Sequence, residues 1–216
     1  YRRRTLIRRS RGGAMRRNVL AAAAVPAALP LAGCGDGGGD VVVVESTAAA
    51  EAGAASQAVL RDAEGTEVGT VQFSEVSAGT EVVAEVEGLD PGFYGLHVHG
   101  TGLCEPDSSA PGDPGTTGDF LSAGGHLGGD AADHPDHTGD LPSVYVTQDG
   151  LGFLTTVTDR FRVEDLVADE DGSAVMLHSG PDNFANVPER YAPEGPDRTT
   201  LRTGDAGARQ ACGVVE

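Results

Sequence analysis

Histidines are the side chains in this sequence best suited to chemistry, and all six lie between positions 97 and 178. The first two, His97 and His99, stand two apart in the stretch GLHVHG. Side chains alternate faces along a β-strand, so both imidazoles are expected on one face of one strand, where they could chelate a single metal ion. The same spacing also suits ordinary polar surface, so the pair alone leaves both interpretations open.

A second cluster follows in the stretch GGHLGGDAADHPDHTGD, which holds His126, His134, His137 and Asp140. Three imidazoles and one carboxylate can complete a four-coordinate zinc site. The last histidine, His178, ends the apolar stretch AVMLH. The histidines therefore suggest a metal centre assembled from distant parts of the chain.

The elements that must position these side chains are short strands. QAVLRD, EVGTVQFSEV, EVVAEVEG and GFYGLHVHG are separated by turn-forming stretches, which predicts a four-stranded antiparallel meander. A loop-like region over about 101–142 follows, and a loop of that length inside a compact domain usually carries function. SVYVT, GFLTTVT and AVMLHS predict further strands, with a hairpin turn at QDGLG and a helical turn at RVEDLV, and the chain closes with ACGVVE. The pattern predicts an all-β sandwich or barrel.

The charge is strongly unbalanced. The chain has 33 acidic and 15 basic residues and a formal net charge of −18. Eight of the basic residues precede Cys34, and no acidic residue does. The part from Cys34 onward is therefore very acidic, which argues against nucleic acid as a partner because the phosphate backbone requires a basic face. The acidity indicates solubility or adaptation to a salty medium.

The N-terminal region reads as an export signal. Two arginines follow Met15, and residues 19–31 are apolar but too few to span a membrane. The stretch LAGC resembles a bacterial lipobox, which predicts lipidation of Cys34; an ordinary signal peptide cleaved nearby is the alternative. Residues 1–33 are then upstream sequence and signal peptide.

Residues 34–56 are rich in Gly, Ala and acidic side chains, which predicts a flexible tether before a domain at 57–216. These features predict an exported protein on the outer face of the bacterial cytoplasmic membrane or in the cell envelope. Membrane contact is expected only through the lipidated N-terminus, and bacterial lipoproteins carry enough acyl chains for stable anchoring.

The motifs GLHVHG, SAGGH, HTGDLP, HSGPDNF and GDAGARQACGV stand in the order found in copper–zinc superoxide dismutases. The chain resembles that family over about residues 57–216. The resemblance implies an eight-stranded antiparallel Greek-key β-barrel or sandwich with long metal-binding loops. It also implies an enzyme that converts superoxide to dioxygen and hydrogen peroxide outside the cytoplasm and so protects against oxidative stress.

The resemblance assigns the ligands of both metals. It gives copper the residues His97, His99, His126 and His178, and it gives zinc the residues His126, His134, His137 and Asp140. His126 is then shared as a bridging imidazolate that delivers protons. His134 and His137 are closer together than in most family members. Some bacterial relatives use copper alone, so a copper-only enzyme stays open.

Four further residues match family positions. Asp182 is expected to hydrogen-bond one copper ligand and one zinc ligand, with a turn-capping role as the alternative. Arg209 matches the active-site arginine that attracts and orients superoxide, with a loop salt bridge as the alternative. The family pairs Cys104 with Cys212 in a disulfide, which suits an exported protein; two buried free thiols are the alternative.

Two other functions fit the same scaffold. One is an extracytoplasmic copper-binding or copper-buffering protein with little turnover, and the other is a structural module that has lost its metals. Arg209 and a bridging His126 favour the enzyme, because a buffer needs neither. The six histidines argue against a metal-free module. The sequence leaves the oligomeric state open.

Overall fold

A computed structural model of the protein describes residues 55–168 and 170–216. The predicted signal peptide, the lipidation site Cys34 and the tether up to residue 54 lie outside the described residues. The first strand begins at Ala55, two residues before the predicted start of the domain. None of the described helices is long and apolar enough to cross a membrane.

The described residues form ten strands and three short helices. The strands are β1 (Ala55–Arg61), β2 (Glu67–Val76), β3 (Gly79–Glu87), β4 (Gly92–His99), β5 (Ser108–Ala110), β6 (Asp113–Gly118), β7 (Asp140–Val146), β8 (Leu151–Thr158), β9 (Ala174–His178) and β10 (Arg209–Val214). Two 3-10 helices cover Leu121–Ala123 and Val163–Leu166, and α1 covers Thr200–Thr203. The second 3-10 helix confirms the helical turn predicted for RVEDLV.

Eight strands close a barrel in the order β1-β10-β9-β4-β7-β8-β3-β2, and every pair is antiparallel. This confirms the predicted all-β, eight-stranded antiparallel barrel. Closure pairs every strand on both sides and removes exposed sheet edges. The barrel interior is filled by apolar side chains, among them Leu60, Val71, Phe73, Val82, Leu96, Val98, Val144 and Leu177.

Strand β3 shows how sequence alternation produces this architecture. Val82, Ala84 and Val86 are buried, whereas Glu85 and Glu87 between and beyond them are exposed. Burying one apolar face stabilises the strand by roughly 25 cal/mol for each Å² removed from water, while the acidic face stays hydrated. The period-2 pattern therefore fixes which face of β3 faces the core.

The predicted four-stranded meander is wrong at its last strand. Strand β3 pairs with β8, whereas β4 lies between β7 and β9. The physical reason is burial: β3 has one exposed face, but β4 is buried on both faces from Tyr94 to His99. A strand buried on both faces needs other parts of the chain packed against its outer face. The tight turn before β4 predicts only that the chain reverses direction; it does not predict which strand β4 pairs with.

The long loop is only partly irregular. Within the predicted region 101–142, strands β5 and β6 pair with each other in a two-stranded sheet, and a 3-10 helix follows them. The loop also ends earlier than predicted, because β7 begins at Asp140. The short polar strands had no hydrophobic alternation by which they could be predicted.

Candidate metal centre

Strand β4 sets the position of the first two histidines. Leu96 and Val98 belong to the barrel core, so His97 and His99 point to the outer side of the strand. Both histidines are almost completely buried there, at 0% and 1% exposure. This confirms that the pair shares one face, and it excludes the interpretation as ordinary polar surface.

The neighbouring strand brings in the third histidine. Residues of β9 pair with β4, with Met176 opposite His97 and Leu177 opposite Leu96. His178 therefore ends β9 beside the same outer face, and its ring centroid lies 4.8 Å from that of His97. The convergence of His178 with the histidines of β4, expected from the family resemblance, is present in the structure.

The loop after β6 supplies the fourth imidazole. His126 forms an isolated antiparallel bridge with His99, and its ring centroid lies 4.0 Å from that of His97. One ligand atom from each member of this group lies within 4.8 Å of the others: His97, His99, His126 and His178. Barrel strands thus position three members, and a loop paired to β4 positions the fourth.

The hydrogen bonds of these rings point to a metal between them. His97 Nε2 lies 2.7 Å from Asp182 Oδ2, and His99 Nδ1 lies 2.9 Å from Gly124 O. The opposite nitrogens, His97 Nδ1 and His99 Nε2, are buried without a partner, and so is His178 Nε2. An unpaired buried nitrogen costs about 1–3 kcal/mol. Three of them converging on one point fit a shared cation better than three separate defects.

The second cluster gathers around Asp140, the first residue of β7. His126 Nδ1 lies 2.7 Å from Asp140 Oδ1, and His137 Nδ1 lies 3.2 Å from both of those atoms. His134 Nδ1 lies 2.9 Å from Asp140 Oδ2, although the two atoms lack hydrogen-bond geometry. Three imidazole nitrogens and one carboxylate gathered in this way match the donor types of a four-coordinate zinc site. The four predicted zinc ligands are therefore together.

A second grouping by distance alone places His97 with His126, His134 and Asp140. His97 has only one free ring nitrogen, Nδ1, because Nε2 is engaged by Asp182. That nitrogen faces the four-histidine group, so His97 cannot also serve the second cluster. His137 Nδ1, 3.2 Å from Asp140 Oδ1, is then the candidate for the fourth donor, as the resemblance implies.

Asp182 connects the two clusters. Its Oδ2 contacts His97 Nε2 at 2.7 Å, and its Oδ1 contacts His134 Nε2 at 2.8 Å. The backbone N–H of Phe184 also donates to Oδ1 at 2.7 Å. Asp182 therefore has both the bridging contact and the turn contact that the sequence left as alternatives. A carboxylate on the outer nitrogen of a ligand histidine fixes its tautomer and ring orientation.

Gly204 is a residue of the site that sequence reasoning missed. It follows α1 with φ 58°, and a Cβ atom there would collide with Asp182 Oδ1 and with His134 Nε2. Only glycine combines this left-handed backbone with such close approach to the bridging carboxylate. The signal available in the sequence was a glycine after a short helix-forming stretch, which does not reveal what lies beneath it.

Burial favours the neutral form of three imidazoles in the four-histidine group, those of His99, His126 and His178. It lowers the pKa of His178 to about 3, with neighbouring His97 and His126 acting in the same direction. Burial likewise lowers the pKa of His126 to about 4, against an opposing effect of Asp140. The pKa of His99 falls well below its usual value, also chiefly through burial. Neutral imidazole is the form that binds metals.

In the second cluster, contacts between carboxylates and histidines outweigh burial in determining the pKa values. Burial acts to lower the pKa of His134, but Asp140 and Asp182 outweigh it and raise that pKa to about 9. Burial also acts to raise the pKa of Asp140 and of Asp182, and their histidine partners outweigh it, so both pKa values fall below the usual range. Both carboxyl groups are thus anionic and suited to a cation.

Arg209 begins β10 directly opposite His178. Its guanidinium donates to the backbone carbonyls of Phe120 and Gly124, the latter at 2.5 Å. The same Gly124 carbonyl lies 2.9 Å from His99 Nδ1, so Arg209 and His99 share a partner. The contacts are to carbonyls rather than to a carboxylate, which leaves the cationic charge of Arg209 unneutralised by these partners and available to an anion.

The predicted disulfide between Cys104 and Cys212 is present, with the two Cα atoms 5.5 Å apart. It ties the start of the long loop to β10. Cys212 lies three residues after Arg209, and the loop supplies the carbonyls that hold Arg209. The free-thiol alternative is therefore wrong.

Comparison with known proteins gives a consistent result. A family model described as copper/zinc superoxide dismutase matches residues 67–215. The superoxide dismutase [Cu-Zn] of Mycolicibacterium paratuberculosis is 45% identical over 164 residues, which cover 72% of this chain and 71% of that protein. The protein of the same name from Mycobacterium tuberculosis is 46% identical over 166 residues, covering 70% of this chain and 66% of that protein.

Solved structures share the fold. The Cu/Zn superoxide dismutase from Brucella abortus aligns with a TM-score of 0.57 and 32% identity, covering 76% of this chain and all of that one. A protein described as the clock protein EA4 aligns with a TM-score of 0.54 and 28% identity, covering 76% of this chain and 94% of that one. With the family match, the relatives and the buried histidine cluster in agreement, the chain belongs to the copper/zinc superoxide dismutase family, a family of oxidoreductases that act on superoxide.

Proposed function

We propose that the chain works as the superoxide dismutase that its family membership indicates, converting superoxide to dioxygen and hydrogen peroxide with copper and zinc as its metals. The observation that carries the proposal is the convergence of unpartnered, buried imidazole nitrogens from β4 and β9 on one point. Imidazole binds both copper and zinc well, and the mixed imidazole and carboxylate cluster beside it suits zinc.

The donor atoms divide between the two metals by position. Copper would be held by His97 Nδ1, His99 Nε2, His178 Nε2 and one nitrogen of His126. Zinc would be held by the other nitrogen of His126 together with His134, His137 and Asp140. Because His126 Nδ1 faces Asp140 at 2.7 Å, its Nε2 lies on the opposite side of the ring and belongs to the copper set. His126 is thus the one residue common to both sets.

Copper supplies the one-electron oxidation and reduction that the reaction needs. The chain's own contribution is to place the anion and the protons. Arg209 sits beside His178 and His99 and attracts and orients superoxide through its guanidinium. His126 would take up and release a proton at Nε2 when that atom is not bound to a metal, while Asp140 orients the ring from the Nδ1 side.

The charge of the chain makes Arg209 more important than in a neutral protein. Superoxide is an anion, and the chain has a formal net charge of −18. Salt screens distant charges beyond about 8 Å at physiological ionic strength, so a cation close to the copper ligands governs the final approach. We therefore expect weaker long-range steering and a strong dependence on this single arginine.

Bacterial members of the family are generally exported. For this chain we propose export through the leader and lipid anchoring at Cys34, supported by the LAGC stretch and the apolar run before it. Mass spectrometry of the membrane fraction tests this. A Cys34→Ser variant is expected to lose the lipid mass and to move into the soluble extracytoplasmic fraction. Cleavage of the unmodified protein at another residue would contradict the anchor.

One experiment tests the activity and its alternative together. The full chain is loaded with copper and zinc, and the rate of superoxide consumption is measured on the same sample as the metal content. The dismutase is expected to hold one copper and one zinc and to consume superoxide. Copper bound without turnover would instead support a copper-buffering protein.

A further inference from the structure

One arginine outside the ligand loop contacts the backbone of that loop. Arg160 lies two residues after β8, and its Nη1 donates to Pro135 O at 2.6 Å and to His137 O at 2.9 Å. Its Nη2 also contacts Asp136 Oδ1 at 3.3 Å. A single guanidinium therefore contacts three consecutive residues, 135–137, at the end of the segment that joins His134 to His137.

These carbonyls belong to the segment that sets the position of a zinc donor. His137 Nδ1 lies 3.2 Å from His126 Nδ1, and the backbone N–H of His137 donates to Asp140 Oδ2 at 3.0 Å. Any shift of the His137 backbone would move its ring and weaken its bond to Asp140. Arg160 donates to the backbone carbonyl of that same residue.

The rest of the loop is attached to other elements. Its two ends are held by β4: Leu127 N donates to Val98 O, and Val98 N donates to Gly139 O, both at 2.8 Å. His134 N donates to Leu201 O in α1 at 2.8 Å. Arg160 adds an attachment between these points, from the connection that follows β8. Hydrogen bonds from an ionised donor are stronger than neutral ones, and both carbonyls are bound by one nitrogen, Nη1, of a planar guanidinium that is more rigid than a lysine ammonium.

We infer that Arg160 is a positioning residue for zinc: it fixes the Pro135–His137 backbone so that His137 is presented to the metal. The inference rests on the proposed zinc donor set. The contact with Asp136 contributes little, since the Asp136 side chain is 77% exposed and exposed ion pairs are weak. The two carbonyl contacts carry the effect.

The test measures zinc release from the full-length copper–zinc protein to the chelator 4-(2-pyridylazo)resorcinol. Arg160→Ala is expected to speed zinc release about 10-fold, the lower end of the range for residues that orient metal ligands. Arg160→Lys is expected to recover only part of the loss. Copper content should stay at the wild-type level, because the copper ligands on β4 and β9 do not contact Arg160.

Two matched variants separate positioning from general stability. Arg162→Ala removes a nearby arginine that pairs with Glu75 at 3.0 Å, away from the zinc donors, and Asp136→Asn removes only the exposed ion pair. Both are expected to release zinc at the wild-type rate. If Arg160→Ala does not fold, Arg160→Lys still tests the inference, because its release rate should exceed that of Arg162→Ala.

The outcomes distinguish this inference from the proposed function. Wild-type release rates in Arg160→Ala and Arg160→Lys would overturn the positioning role while leaving the dismutase intact. Equal acceleration in Arg162→Ala would also overturn it, since the effect would then be one of stability. A wild-type protein that binds no zinc would overturn the proposed zinc set and the inference with it.

Discussion

The two halves of the metal centre are built by different means. Three of the proposed copper donors lie on paired barrel strands, His97 and His99 on β4 and His178 on β9. Three of the proposed zinc donors, His126, His134 and His137, lie on a loop with no strand between them, and only Asp140 begins a strand.

Strand pairing fixes donor positions without help from a metal, because backbone hydrogen bonds and core packing already determine them. Loop donors depend on individual tethers, each of which contributes only about 0.5–1.5 kcal/mol. The copper half should therefore behave as a preformed site, whereas the zinc half should be sensitive to the loss of single contacts or of the metal itself. Variants in each half test this difference.

The largest effect is expected from the disulfide. Exchanging Cys104 and Cys212 for serine releases a loop whose ends are 108 residues apart, which costs about 4–5 kcal/mol in the chain-entropy treatment. Chemical denaturation of the metal-loaded protein measures the loss. Because the loop also holds Arg209, activity should fall as well. A loss below about 1 kcal/mol would show that other contacts hold the loop to the barrel.

Removing one donor from each half tests the comparison directly. His178→Ala is expected to lower superoxide consumption at least about 100-fold, since even residues that only orient ligands cost 10–100-fold, while zinc content and melting temperature stay near wild type. His137→Ala should instead lose zinc and lower the melting temperature, with copper retained. Calorimetry and metal analysis of both variants provide the check. The reverse pattern would contradict the proposed difference.

Asp182 should affect both halves, because it contacts His97 and His134. Asp182→Ala leaves both outer nitrogens without an acceptor, and zinc affinity is expected to fall about 10–100-fold. Competition with a chelator measures the change. Gly204→Ala provides a second route to the same contacts, since its added methyl group collides with the carboxylate. Unchanged zinc affinity in both variants would show that Asp182 serves only the turn at Phe184.

Arg209 should affect rate rather than metal content. Arg209→Ala is expected to slow superoxide consumption about 10-fold and to flatten its dependence on ionic strength, because the local cation is lost. Arg209→Lys keeps the charge but not the fork, so it should recover part of the rate. Pulse radiolysis at several salt concentrations gives both numbers. If Arg209→Ala kept the wild-type rate and salt dependence, the arginine would have no role in attracting the substrate.

The smallest expected effect is a difference in how the two halves respond to pH in the metal-free protein. The pKa values of His126 and His178 fall to about 4 and about 3 in the folded state, from an ordinary value of 6.5. Their contribution to stability is therefore present above pH 6.5 and lost as the pH falls towards 4.

His134 behaves in the opposite sense. Its folded pKa of about 9 means that its contribution is present below pH 6.5 and lost as the pH rises through 9. The melting temperature should therefore be highest near neutral pH and fall by a few degrees on either side. His134→Gln should remove the fall on the alkaline side only. A melting temperature that rises steadily with pH would contradict the assignment for His134.

Much of the site followed from the sequence, and the reason differs between residues. Strand alternation was enough to place His97 and His99 on one face, because periodicity is a local property. The donor sets, Asp182, Arg209 and the disulfide pairing came from the resemblance to a known family rather than from spacing. The structure brings all of these residues together, while their roles at the metals stay proposals.

What the sequence could not give depends on contacts between distant segments. Strand β4 pairs with β7 and β9 because both of its faces are buried. The turn before β4 carries no information about these partners. Gly204 lies against Asp182 and Arg160 donates to His137 O across the fold, and a single glycine or arginine in a loop has no local signature of such a contact. Long-range packing, not local propensity, determined these features.

The central claim is that two metals share His126 between a strand-built half and a loop-built half. A crystal structure of the metal-loaded protein, with anomalous diffraction measured at the copper and zinc edges, tests it most directly. We expect one copper peak within bonding distance of His97, His99, His126 and His178. We expect one zinc peak on the other side of His126, bound by His134, His137 and Asp140. A single peak, or a zinc peak that His126 does not contact, would contradict the account.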